Sequence, residues 1–82
     1  MLLNEFISKK LETIRKEKHI AVYTLCNKAA ISYETYRSIR KNKNKDIYIR
    51  TLLLLLRALE VSPAEFFGDS MFNGEELDID FK

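Results

Sequence analysis

Between positions 37 and 45 the sequence reads Arg-Ser-Ile-Arg-Lys-Asn-Lys-Asn-Lys, so Arg37, Arg40, Lys41, Lys43 and Lys45 gather five cations in one short stretch. Such side chains neutralise polyanions, above all a phosphate backbone. The chain as a whole has the same bias. Residues 1–50 carry 12 Lys and Arg against 5 Asp and Glu, a net +7, whereas residues 51–82 carry 2 against 7, a net −5. The plain alternative for any one such cluster is a solvated surface. Catalysis has no comparable constellation. His19 is the sole histidine and has no second His or Cys at ligand spacing, so no metal is expected. Cys26, the sole cysteine, reads as a small buried core residue rather than a reactive thiol. The sequence has no nucleophile–base pair and no Gly-rich phosphate loop, so it is read as a binding protein, not an enzyme. No cofactor and no small-molecule ligand are expected.

Those cations need a scaffold, and 82 residues at 9.7 kDa allow one small domain. Hydrophobic residues make up 46% and charged residues 32%, which is globular rather than disordered composition. One cysteine cannot staple a fold, so a reducing, cytoplasmic location is expected. No apolar run approaches the roughly 18 residues of a membrane span, and residues 1–10 do not read as a signal peptide. Two Gly and one Pro leave little room for hairpins.

Helical periodicity organises residues 1–68. Leu3, Ile7, Leu11 and Ile14 form one stripe, predicting a helix over about residues 4–18 with Asn4 as its cap. Val22, Leu25, Cys26 and Ala29 predict a second over about 21–30, after Ile20 re-enters the core. Ser32 is placed to cap a third over about 33–41, with Tyr36 and Ile39 inward. The polar run 41–46 predicts an exposed loop. A fourth helix, about 49–60, is assigned an inner face of Ile49, Leu52, Leu53, Leu56 and Leu59, which turns Leu54 away from the core. Ser62-Pro63-Ala64-Glu65 combines a cap, a first-turn proline and a capping-box acid, opening a short helix, about 63–67, that ends at Gly68. The expected core is Ile7, Leu11, Ile14, Leu25, Cys26, Ile39, Leu52, Leu53, Leu56 and Phe66. Residues 69–82 form an acidic C-terminal tail in which Leu77, Ile79 and Phe81 alternate with Asp78 and Asp80, a β-strand signal.

The segment 21–41, a short helix, a tight turn and a second helix opened by Ser32, resembles the helix-turn-helix of the lambda-repressor/Cro-like (Xre-type) family of DNA-binding domains. The resemblance extends over roughly residues 6–67. It rests on Ile14-Arg15, Leu25 and Cys26, Ile31-Ser32, Ile39, Thr51-Leu52-Leu53, and Ala58-Leu59-Glu60-Val61-Ser62 through Phe67. Four positions depart from it. Ala21 stands where the family has a Ser or Thr cap, Val22 where it often has a phosphate-binding Gln, Ala30 at the usual turn glycine, and Tyr36 at a core aliphatic.

The resemblance implies an all-α, five-helix lambda-repressor-like domain over residues 1–68. Its third helix would enter the major groove of double-stranded DNA. Tyr33, Glu34, Arg37 and Ser38 would then face base edges, with Arg37 suited to guanine and Glu34 to a cytosine amino group. Arg40, Lys41, Lys43 and Lys45 would take sugar-phosphate contacts, which fix register without reading sequence. The implied function is a sequence-specific transcriptional regulator, a dimeric repressor on a two-fold operator. Leu54 with Leu77, Ile79 and Phe81 is the expected homodimer interface, the tail strand pairing with its symmetry mate or lying on the neighbour's helices. The rival for the tail is a disordered acidic segment competing with DNA. The rival for the whole chain is a protein-interaction module, of antitoxin or anti-repressor type, that keeps the fold.

Overall fold

The computed structural model describes residues 2–41 and 46–73. Five α-helices follow in order, α1 (Leu3–Glu17), α2 (Val22–Ala29), α3 (Tyr33–Lys41), α4 (Ile49–Leu59) and α5 (Pro63–Phe67), and a single 3-10 turn spans Ser70–Asn73. No strand occurs among the described residues, so the fold is all-α as the periodicity requires. The strand signal at 77–81 lies outside them.

The ends of α1, α2, α4 and α5 have local causes. α1 starts one residue earlier than its pattern predicts. Leu2, not Asn4, occupies the cap position, and no side chain caps it. Three helices then close in one way. His19, Ala30 and Glu60 adopt left-handed backbone at φ of 56°, 57° and 60°. The next residue turns its N–H back to a carbonyl five positions earlier: Ile20 to Arg15 at 3.1 Å, Ile31 to Cys26 at 3.1 Å and Val61 to Leu56 at 2.9 Å. These bonds satisfy carbonyls that a helix end leaves open, and they bring an apolar residue back onto the core each time. None of the three left-handed residues is glycine. The Ser32 hydroxyl accepts the Thr35 N–H at 3.0 Å and the Ser62 hydroxyl accepts the Glu65 N–H at 3.1 Å, as their cap positions predict. Gly68 closes α5 for a different reason. Its backbone is right-handed, but a Cβ there would meet the Ala64 carbonyl oxygen at 2.9 Å.

α2 packs across α4, α1 against α3, α2 on α3, and α4 on α5. The buried set is Ile7, Leu11, Leu25, Cys26, Ala29, Tyr36, Leu52, Leu55, Leu56, Ala58, Leu59 and Phe66. Two expectations for α4 are corrected. Leu53 is 41% and Ile49 63% exposed, whereas Leu55 is fully buried. The inner face is therefore Leu52, Leu55, Leu56 and Leu59. Leu54, expected to point outward, is half-buried and packs against the core edge, as do Ile14 and Ile39. Beyond Gly68 the packing continues. Phe72 sits 5.0 Å from Phe6, 5.9 Å from Phe66 and 5.1 Å from Phe67 between ring centroids, and Lys10 Nζ donates to Asp69 at 2.8 Å.

Candidate nucleic-acid interface

α2 and α3 meet closely because the residues between them are small: Cys26 and Ala29 are both buried. Burial pushes the Cys26 thiol up, away from the reactive thiolate. The left-handed Ala30 and the Ser32 cap set the angle at which α3 leaves the turn.

From the inside, α3 is fixed by a polar hub that the sequence pattern does not reveal. Tyr36 is 1% exposed, and a buried phenol needs a partner. Its hydroxyl donates to Glu12 Oε2 at 2.6 Å. Arg15 grips the same carboxylate in bidentate fashion, Nε to Oε2 at 2.8 Å and Nη2 to Oε1 at 3.0 Å, and its Nη1 donates to the Ile20 carbonyl at 2.7 Å. Arg40 Nε lies 3.5 Å from Glu12 Oε1. One carboxylate thus ties α1, the α1–α2 turn and two successive turns of α3. The Arg15 hydrogen bonds hold the Glu12 carboxyl at about 2, against the opposing effect of burial and with help from Tyr36. Burial, then the bond to Glu12, raises the Tyr36 phenol, and the same carboxylate raises Arg15.

The outward face of α3 carries the side chains assigned to base reading. Tyr33 is 52% exposed, Glu34 and Arg37 are exposed, and Ser38 is half-buried. Glu34 and Arg37 form a long, solvent-facing ion pair at 4.0 Å, too weak to hold either side chain. Among the four assigned phosphate contacts, Lys41 is exposed at the end of α3, and Arg40 turns toward Glu12. Lys43 and Lys45 lie outside the described residues. Of the assigned dimer residues only Leu54 is described.

A cleft of about 360 Å³ separates α3 from the stretch leading into α4, with Glu34, Ser38, Asp46, Tyr48 and Thr51 on its walls. Tyr48, 77% exposed, therefore stands beside the α3 face, and Tyr23 at the start of α2 is 73% exposed. Sequence reasoning overlooked both. The available signal was an aromatic residue next to a helix start, off the apolar stripe that fills the core. Among the described residues no group of three His, Cys, Asp or Glu is arranged to hold a metal, and no helix is long and apolar enough to cross a membrane.

The model of the Cro/C1-type HTH DNA-binding domain matches residues 10–70. No curated protein matches the sequence. Among solved structures, the chain is similar to a tyrosine-to-alanine mutant of the restriction-modification controller protein C.Esp1396I, at 25% identity and a TM-score of 0.76, over 89% of this chain and 97% of that one. The family match spans most of the chain and includes the turn, both of its helices and the helices that brace them. With α3 held from behind and polar in front, the chain belongs to the Cro/C1-type helix-turn-helix DNA-binding domain family.

Proposed function

We propose that the protein is a sequence-specific double-stranded DNA-binding transcriptional regulator that acts in the cytoplasm as a homodimeric repressor on a two-fold operator. The observation that carries this reading is the contrast between the two faces of α3. Tyr36 is locked inward by Glu12, whereas Tyr33, Glu34 and Arg37 stand exposed with no strong partner. A helix so oriented offers a guanidinium to guanine and a carboxylate to a cytosine amino group. Lys41, Lys43 and Lys45 add backbone contacts that fix register. Similarity to a restriction-modification controller supports gene control as the outcome. In the proposed dimer, Ile49 and Leu53 present exposed apolar surface one turn apart on α4, beside half-buried Leu54, and the acidic tail, 69–82, beyond the domain of residues 1–68, contributes the alternating Leu77, Ile79 and Phe81 of its sequence to the same interface.

Selection of bound duplexes from a random pool tests the reading. A two-fold motif should emerge, and Arg37→Ala should relax one position in each half-site at a cost of about 1–3 kcal/mol. Equal weakening on every sequence would remove the base-reading role. The uncapped start of α2, with Ala21 and Val22 in place of a polar pair, favours the second reading, a protein-interaction module. Failure of the chain to bind any duplex at low salt would select it.

A further inference from the structure

A groove of about 440 Å³ runs along α1 from Phe6 to Glu17, with Asp69 at its side. None of its lining residues belongs to α2 or α3. Phe6 and Ile14, both half-buried, supply its apolar lining, and Phe72 meets the Phe6 ring edge-on. Lys10 is fixed beside them, its ammonium 2.8 Å from Asp69 and 5.4 Å from the centre of the Phe66 ring. Lys9 and Thr13 line the groove from exposed positions. We propose that this groove seats the chain's own C-terminal segment, residues 74–82.

The argument starts from where the described chain stops. Asp69 lines the groove and Phe72 packs on its first residue, so Asn73, the last described position, lies next to its entrance. The segment beyond reads Gly-Glu-Glu-Leu-Asp-Ile-Asp-Phe-Lys. Extended, it reaches up to about 30 Å, whereas the stretch of α1 from Phe6 to Glu17 is about 16 Å long. The segment can therefore leave Asn73, turn and run the length of the groove. In an extended chain Leu77, Ile79 and Phe81 share one side over about 13 Å, close to the roughly 12 Å between Phe6 and Ile14. Asp78 and Asp80 fall on the opposite side, in solvent.

Charge favours the same occupant. Residues 9–18 carry five Lys and Arg against two Glu, a net +3, and residues 74–82 carry one Lys against four Asp and Glu, a net −3. Arg15 and Glu12 pair with each other on the buried side, and Lys10 pairs with Asp69. Exposed Lys9, Lys16 and Lys18 then outnumber Glu17, and Lys9, though 3.3 Å from Glu5, keeps 62% of its side chain in solvent. Attachment supplies the remaining advantage. A segment tethered at Asn73 meets its seat at an effective concentration on the order of millimolar, which a free partner rarely attains. A lone strand does not persist in water, and the groove offers the apolar surface it lacks. Leu77, Ile79 and Phe81 are also the tail residues of the dimer proposed above. The groove thus holds them in the monomer and releases them on assembly, so it opposes self-association. That competition rests on the dimer reading, whereas the docking itself does not.

A nitroxide attached at Lys82→Cys tests the docking in the full chain, since Cys26 is buried and escapes labelling. Isotope-labelled, spin-labelled chain is diluted into unlabelled chain, at a total concentration where sedimentation finds a monomer. NMR should show the amide signals of Thr13, Ile14 and Glu17 lost, and reduction of the nitroxide should restore them. Ile79→Asp in the segment, or Thr13→Glu in the groove, should keep the signals visible, whereas Thr13→Gln should lose them as the native residue does. Thermal melts verify that the variants fold. Signals that persist beside the active nitroxide would overturn the proposal. So would broadening that occurs only between a spin-labelled chain and a separate isotope-labelled one, because the occupant would then be a second copy. Sedimentation at higher concentration tests the competition, and Thr13→Glu should tighten the dimer. Absence of any dimer would remove the dimer reading, while the lost Thr13, Ile14 and Glu17 signals would still support the docking.

Discussion

Glu12 accepts two hydrogen bonds from Arg15 and one from Tyr36, and this concentration of donors makes the fold sensitive to protons at both ends of the pH scale. Its carboxyl lies at about 2 in the folded chain against an ordinary 4.5. The folded value is the depressed one, so the contribution is complete above pH 4.5 and disappears as pH falls toward 2. A shift of that size corresponds to on the order of 3 kcal/mol, with both side chains of the Arg15–Glu12 pair mostly buried. Tyr36 acts on the alkaline side. Its phenol is raised above the ordinary 10, so stability is full below pH 10 and declines as pH rises beyond it. Stability followed by circular dichroism should therefore show an acid limb between pH 4.5 and 2 that Glu12→Gln removes. An unchanged acid limb in Glu12→Gln would mean that other carboxylates dominate. The sequence made Tyr36 legible as an inward residue, because its position is periodic. Glu12 was not legible. A charged residue on the border of a helical stripe is ordinarily solvated, and only the arrival of Tyr36 from 24 residues away gives it a buried role.

At the scale of the helices, order and boundaries were legible to within about a residue, because caps, apolar spacing and the Ser-Pro start agree with one another. The face of α4 was not. Five consecutive leucines, Leu52–Leu56, satisfy two helical faces equally well. Arg50 and Arg57, three before and four after Leu53, mark its side as the solvent side, and the packing of α2 across α4 selects the other. Leu55→Ala should accordingly cost roughly 2–5 kcal/mol, as a fully buried leucine does. Leu53→Ala should cost less than about 1 kcal/mol. Thermal melts that rank the two variants in the opposite order would restore the other face. The helix ends offer the reverse experiment. Ala30 and Glu60 sit in left-handed backbone where a Cβ costs roughly 1 kcal/mol. Ala30→Gly and Glu60→Gly should each raise the melting temperature, with additive effects because the sites lie in separate turns. A lowered melting temperature for both would mean that flexibility gained by the unfolded chain outweighs the relief.

For the molecule as a whole, the split between a basic first half and an acidic remainder was legible from counting alone, and it brings Arg37, Arg40 and Lys41 together on α3. The root of the tail was not legible, since no periodicity links Phe72 to Phe6, Phe66 and Phe67. The structure joins them, and Lys10 holds Asp69 across 59 positions of sequence. That clasp bears on the timing of folding. Contacts so distant along the chain carry a large loop-closure cost, whereas the α2–turn–α3 unit is assembled from neighbours. The clasp should therefore form after the rate-limiting step and act as a brake on opening. In stopped-flow measurements, Phe72→Ala should accelerate unfolding and leave the refolding rate nearly unchanged, the signature of an interaction absent from the transition state. Slower refolding with unaltered unfolding would instead make the meeting of the two ends an early event. If the brake operates as expected, the lifetime of the folded chain is governed by residues of α1, α5 and the 3-10 turn, none of them on α3, and substitutions around Phe72 can tune persistence while leaving the proposed base-reading side chains in place.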